Sequence, residues 1–285
     1  MSGKITIATI SLLLFLLSSC GGGQQQEAAD TGAESDTTGM AQFADDEKFK
    51  AAHGEPTELN FEGRGEMMEF DTPDGQTGSA YTLEAATESN KYLFVIHEWW
   101  GLNEHIKAEA ERLYDILDST VTVMAPDMYD GKVATSQDSA QQYMQSLNQD
   151  RGYAIINGAI NQTGAEARIG TIGWCFGGGW SLRTAIEAGD KGAGCVMYYG
   201  MPVDDAEALE PITCDILGIF ARQDEWINEK VVNGFKEIAQ EAGADLEVHW
   251  FDAAHAFANP SNPEYDAEAA KEANNLAWGF LEERL

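Results

Sequence analysis

Six strand-length apolar runs recur along the chain with helical stretches between them: "KYLFVIH", "TVTVMAP", "ARIGTIG", "AGCVMYYG", "CDILGIFA" and "DLEVHWF". Most lack the polar-apolar alternation of a strand with one wet face. A continuous apolar run suits a strand covered on both faces, which is the situation in a parallel sheet. The segments between them read as helices. Glu104 to Leu117 sets Ile106, Ala110, Leu113 and Leu117 on one stripe. Residues 135–161 read as mostly helical with no strong break, and "FGGGWSLRTAIEAG" as a helix ended by Gly189. "NEKVVNGFKEIAQEAG" and "PEYDAEAAKEANNLAWGFLEERL" supply two more. This alternation predicts an α/β fold: one domain, a mainly parallel central sheet, and helices on both faces. Ahead of it, "GEMMEFDTPDGQTGSAYTLEA" reads as a hairpin that adds antiparallel strands at one edge. Residues 40–60 read as a short helix and a loop leading into the domain.

Of the 285 residues 44% are hydrophobic, enough for the core such a sheet needs, and the net charge is −31. Residues 61–285 alone hold 39 acids against 14 lysines and arginines, or −25, so the domain itself is acidic. Such a surface repels phosphate backbones and excludes nucleic acid as a partner. The acidity reflects either a saline habitat or an ordinary soluble surface. The amino terminus, "MSGKITIATISLLLFLLSSC", has one lysine and an apolar run from Ile5 to Leu17, too short to span a bilayer comfortably. It reads as an export signal. "LSSC" before "GGG" resembles the lipobox of bacterial lipoproteins. The resemblance implies removal of residues 1–19, a lipid on Cys20, and a protein anchored to a membrane of the bacterial cell envelope. A plain secretory signal with a chance cysteine is the alternative. Residues 20–59 are then the lipidated cysteine and a flexible acidic tether, and 60–285 the folded domain.

The chain has four cysteines. Cys195 and Cys214 lie at the starts of apolar runs and read as free buried thiols, with a bridge between them as the alternative. Cys175 differs. It sits in "GWCFGGG", straight after an apolar run, and a cysteine collared by glycines is expected to stand exposed on a tight turn. Loops after the carboxyl ends of parallel strands carry reactive groups in this architecture. Asp224 follows "CDILGIFA" and His255 follows "DLEVHWF". Cysteine, aspartate and histidine thus appear in the order of the nucleophile–acid–histidine triad of α/β-hydrolases. Gly173 and Gly177 give a strand-to-helix turn the room it needs. The helix behind it favours a thiolate and a developing oxyanion, to which the Phe176 N–H can donate.

"HEWWGLNEHIK", "APDMY", "GWCFGGG", "ARQDEWI" and "HAFAN" together resemble the dienelactone hydrolases over about residues 60 to 285. The resemblance implies a single α/β-hydrolase domain that cleaves esters and lactones with no metal or other cofactor. It implies Cys175 as nucleophile, His255 as general base and acid, and Asp224 as the carboxylate that orients the imidazole. It makes Glu98 a carboxylate facing the thiol that helps ionise it. The Trp99 amide becomes the second oxyanion donor beside Phe176, and Trp100, Trp226 and Phe257 become pocket walls. Two arginines that hold a substrate carboxylate in the family have no counterpart. Asn259 stands four positions after His255, and "SQDSAQQYMQSLNQ" has no basic residue. The expected substrate is therefore a neutral ester, lactone or thioester, and the expected state a monomer. The competing readings are a cysteine-dependent amidotransferase or DJ-1-like enzyme, and a lipid-anchored binding module on a hydrolase fold without activity.

Overall fold

A computed structural model describes residues 39–285. The predicted signal, Cys20 and the first part of the tether lie outside the described residues. Eight strands form one sheet: β1 (Glu66–Asp71), β2 (Thr77–Leu83), β3 (Lys91–Ile96), β4 (Thr122–Pro126), β5 (Arg168–Trp174), β6 (Gly192–Tyr198), β7 (Ile216–Ala221) and β8 (Leu246–Phe251). Their order is β1-β2-β4-β3-β5-β6-β7-β8. The hairpin β1–β2 pairs antiparallel at one edge and runs antiparallel to β4, while all neighbours from β4 through β8 are parallel. After β3 the chain goes outward to β4 and returns on the other side of β3 to form β5. The loops following β3 and β5 therefore open a crevice between them, where sheets of this kind bind ligands.

Among the described residues eight α-helices accompany the sheet: α1 (Glu47–Ala52), α2 (Glu104–Ile116), α3 (Gln137–Ser146), α4 (Gln149–Asn161), α5 (Phe176–Ala188), α6 (Ala206–Leu209), α7 (Glu229–Ala242) and α8 (Ala267–Glu282). Adjacent residues of β5 show that both faces are covered. Gly170 faces Leu281 and Leu285 at the end of α8, and the Thr171 hydroxyl donates to the Ser181 carbonyl of α5 at 3.0 Å. Leu93, Phe94, Val95 and Ile96 of β3 are all fully buried, as a strand sandwiched this way requires. Asparagine and aspartate cap the helices by accepting orphan N–H groups: Asn103 for α2, Asn228 for α7, Asp266 for α8.

Two expectations are corrected. The stretch read as one helix over 135–161 is two, because Leu147 is extended and the Asn148 side chain accepts the Arg151 N–H at 3.2 Å, starting a new helix. The tether read through residue 59 also ends sooner. Gly39–His53 lie against the domain, with Met40, Ala44, Phe49 and His53 buried. Farther on, Glu111 of α2 gathers the Arg64 and Tyr81 side chains and the Arg64 amide, pinning the approach to β1 against the hairpin and α2. Burial pushes this carboxylate upward, yet those hydrogen bonds together hold it below its ordinary pKa.

Candidate active site

β5 ends at Trp174 and α5 begins at Phe176, leaving one residue to turn the chain. That residue, Cys175, has φ 53° and ψ −116°, a conformation side-chain-bearing residues avoid. A Cβ on Gly173 would strike the Gly177 carbonyl, and one on Gly177 would strike the Ile96 and His97 carbonyls at the end of β3. Both collar glycines are thus demanded by backbone contact. Burial first, then the charge of Glu98, hold the thiol pKa well above its ordinary value. A hydrogen bond from the Phe176 N–H at the start of α5 works the other way.

Asp224 and His255 arrive from the ends of β7 and β8. His255 Nδ1 lies 2.6 Å from Asp224 Oδ2. Asp224 Oδ1 accepts the Trp226 and Ile227 N–H groups, each at 2.9 Å, so the carboxylate is fixed from both sides. Burial alone would raise its pKa; the interaction with His255 and these hydrogen bonds bring it below the usual value. An ionised carboxylate only accepts, so His255 Nδ1 carries the proton and Nε2 is left without a partner, with a His255 ring nitrogen within 4.8 Å of the sulfur. His97, by contrast, is structural. Its Nδ1 donates to the Glu98 carbonyl at 2.6 Å and its Nε2 accepts the Met128 N–H at 3.1 Å, tying the loop after β3 to the loop after β4.

Glu98 follows β3 and is buried. One carboxylate oxygen accepts a hydrogen bond from the Asn259 side-chain amide. Burial raises its pKa to about 7 against that hydrogen bond. Its other oxygen has no partner. Among the described residues, the buried side-chain polar atoms without partners are Glu98 Oε1, Trp99 Nε1, Tyr129 Oη, Tyr199 Oη and His255 Nε2. These lie around one place: the Tyr199 ring packs on His255, and the Cys175 thiol acts electrostatically on both tyrosines. Unpaired buried polar groups destabilise a fold, so their concentration here marks a region built for something other than stability.

The predicted residues therefore converge, but the thiol is not exposed. Cys175 is 0% accessible because Gly39–His53 cross over it. We call this segment the strap. Phe49 of α1 packs edge-on against Trp99 and Trp226 and sits 6.0 Å, centroid to centroid, from His255. The strap is held by Asp46, which caps α1 and accepts the Trp226 indole N–H at 3.0 Å. Gln137 donates to the Lys50 and His53 carbonyls, and Asn262 donates to the Ala52 carbonyl. At its end His53 enters the site. Its Nδ1 lies 2.7 Å from the Phe49 carbonyl, and a carbonyl cannot donate, so Nδ1 carries the proton. Nε2 is then the bare nitrogen, and it lies 3.6 Å from Cys175 Sγ. Burial, chiefly, with the nearby His255, lowers the His53 pKa to about 3 and keeps the ring neutral. The described partner of the thiol is thus His53, not Glu98. Sequence reasoning missed His53; its signal is the i, i+4 pair Phe49–His53, which looks like any short amphipathic turn.

A cavity of about 330 Å³ lies beside Glu98, walled by Trp100, Ile106, Trp174, Ala258 and Asn259. Trp100 lines it. Trp226 and Phe257 do not: Trp226 backs Phe49 of the strap, and Phe257 is wholly buried against Tyr199 and Phe251. Arg112 reaches the same cavity, but Glu109 pairs with its guanidinium at 2.5 and 2.8 Å and its face covers Trp278.

Comparison with known proteins places this architecture. Residues 79–285 match the model of the dienelactone hydrolase family. The chain is 28% identical over 231 residues to Protein usf of Aquifex pyrophilus, covering 78% of this chain and 99% of that one. It is 23% identical over 236 residues to a carboxymethylenebutenolidase of Pseudomonas putida, covering 76% and 95%. Among solved structures, a metagenomic dienelactone hydrolase-like promiscuous phosphotriesterase superposes with a TM-score of 0.66 at 21% identity, covering 78% of this chain and 99% of its own. The strap precedes the matched region. With most of its length inside the family model and the sheet in the same fold, the chain belongs to the dienelactone hydrolase family and is a hydrolase of the ester- and lactone-cleaving type.

Proposed function

We propose that the protein hydrolyses neutral carboxylic esters, lactones or thioesters through Cys175, His255 and Asp224. The observation that carries this reading is the buried Asp224–His255 pair, with an unpartnered Nε2 and a ring nitrogen within 4.8 Å of a cysteine sulfur held on a glycine-collared turn. With the strap displaced, His255 Nε2 takes the Cys175 proton, directly or relayed through Glu98, and the thiolate attacks the substrate carbonyl carbon. The oxyanion so formed lies at the start of α5, where the Phe176 N–H already points at the sulfur and the Trp99 N–H is the second donor. Collapse of this intermediate breaks the carbon–oxygen bond of an ester or lactone, or the carbon–sulfur bond of a thioester. His255 Nε2–H protonates the departing alkoxide or thiolate, leaving a thioester on Cys175. Water, deprotonated by His255, then releases the acid and restores the thiol.

The choice of neutral substrates follows from charge. Asn259 supplies a hydrogen bond to Glu98 but no positive charge, and the cation that reaches the cavity, Arg112, is already paired with Glu109. A free carboxylate on the substrate would face Glu98 with nothing to compensate it. Initial rates on p-nitrophenyl acetate and butyrate, δ-lactones, acyl thioesters and dienelactone test the reading. Neutral substrates should turn over and dienelactone should lag, and Cys175→Ala should abolish hydrolysis while Cys195→Ala and Cys214→Ala keep most of it. Full activity in Cys175→Ala would refute it. For the amino terminus, we propose export and lipid anchoring at Cys20; membrane partitioning of the wild type and release of Cys20→Ser would support it.

A further inference from the structure

We propose that His53, Cys175 and His255 together form a binding site for a zinc-class divalent cation, and that occupancy locks the strap over the nucleophile. One donor atom from each of the three buried residues lies within 4.8 Å of the others. Zinc with Zn–S of about 2.3 Å and Zn–N of about 2.0 Å in tetrahedral geometry sets sulfur and nitrogen ligands about 3.5 Å apart. The Cys175 Sγ–His53 Nε2 separation is 3.6 Å. Small ring movements bring His255 to the same spacing.

The orientation of each ligand is already fixed by a second partner. His53 is held by Nδ1–H donation to the Phe49 carbonyl, and His255 by Nδ1–H donation to Asp224. Both rings thus turn an unprotonated Nε2 inward, which is how metal-binding histidines are commonly prepared. His255 Nε2 has no partner among the described residues. Asp224 behind His255 and the unpaired Glu98 oxygen beside the sulfur supply negative charge to balance a dication. One sulfur and two imidazoles select a borderline cation such as Zn²⁺ over Mg²⁺ or Ca²⁺. On binding, the metal–sulfur bond forms, the thiol proton leaves to solvent, and both imidazoles keep the protons they hold.

The strap contributes a ligand, so metal binding and strap opening oppose each other. The metal also ties up the sulfur that the proposed reaction uses, and the expected consequence is reversible inhibition. That consequence, though not the binding itself, rests on Cys175 being the nucleophile.

Cobalt is the probe. Full-length protein, reduced and treated with chelator, is titrated with Co²⁺ and then with Zn²⁺. The expected result is one cobalt per chain with a near-ultraviolet thiolate-to-cobalt charge-transfer band and intense tetrahedral visible bands, displaced by equimolar Zn²⁺ and insensitive to Mg²⁺. Zinc should halt ester hydrolysis over the same range, and chelator should restore it. His53→Ala and His53→Gln, with native circular dichroism, should weaken cobalt binding by at least about 100-fold, the upper end of what loss of a supporting partner produces. Cys175→Ser should lose the charge-transfer band, and His249→Ala, at an exposed histidine beside Glu247, should match wild type. Absence of the band, or undiminished affinity in both His53 variants, overturns the site. A proper cobalt spectrum with hydrolysis surviving in Cys175→Ala leaves the site standing and overturns the proposed reaction. The opposite pair of results does the reverse.

Discussion

Replacing Phe49 with alanine should unmask Cys175. In the closed structure the thiol is 0% accessible and Phe49 is 0% exposed, wedged among Trp99, Trp226, His53 and His255. A reagent therefore reaches sulfur only in the fraction of molecules whose strap has lifted, and the observed rate is that fraction times the intrinsic rate. Truncating a fully buried phenylalanine costs about 3–5 kcal/mol. Lifting the strap exposes this ring, so most of the loss falls on the closed form alone. At about 1.4 kcal/mol per tenfold, the lifted fraction rises about 10²- to 10³-fold after allowing for residual packing in the lifted form. The assay is iodoacetamide labelling read at Cys175 by peptide mass spectrometry, with buried Cys195 and Cys214 as references in the same digest. Those two should label no faster, which separates strap opening from general loosening. A Cys175 rate within twofold of wild type, in a variant with native circular dichroism, would refute the reasoning. It would mean that the thiol is reached from the cavity past Glu98.

Asp224→Asn should lower kcat by about two to four orders of magnitude in ester turnover, because the imidazole loses the partner that sets its tautomer; a loss under tenfold would remove Asp224 from the reaction. Glu98→Gln removes a negative charge that holds the thiol proton on, so labelling of Cys175 at fixed pH should quicken even where turnover falls. If neither labelling nor turnover changes, Glu98 is a bystander. Glu111 makes a pH prediction. Its folded pKa lies below the unfolded value of about 4.3, so its contribution is present above that pH and disappears as pH falls through the folded pKa. Glu111→Gln should therefore lower the melting temperature at pH 7, and the gap to wild type should shrink as pH falls below the unfolded value and through the folded pKa; a gap that stays constant with pH would show that the loss is not electrostatic.

The sheet was legible because its strands are apolar on both faces, and the elbow because glycine is required twice within five residues. Asp224 and His255 could be read because each lies within a few residues of a strand's end, so topology alone carries them to one end of the sheet. His53 could not be read. It sits 122 residues before Cys175 and is delivered by a two-turn helix, and no local pattern says where such a helix docks. The exposure of Cys175 was misjudged for the same reason: the turn does project the thiol outward, but the cover comes from far upstream. Phe257, a pocket wall by the resemblance, lies two residues from His255 but not in the cavity. Ala256, with φ 62°, turns the chain between them and sends that ring into the core. The break at Asn148 is not legible in the sequence, because helix-compatible residues flank it on both sides and only the structure shows its side chain capping a new helix.

The backbone of Cys175 has an implication for how this position would drift. A side chain at φ 53°, ψ −116° is strained by about 1–3 kcal/mol relative to a relaxed residue, and glycine would relieve that strain at a site already flanked by glycine. Marginally stable domains accumulate such substitutions whenever nothing opposes them. A chain kept only for folding, or for docking on a membrane, would be expected to lose this cysteine early. It would shed a strained torsion and become more stable by doing so. The sulfur at residue 175 therefore acts as a running test of use: it persists only while some chemistry at that atom outweighs the stability it gives up.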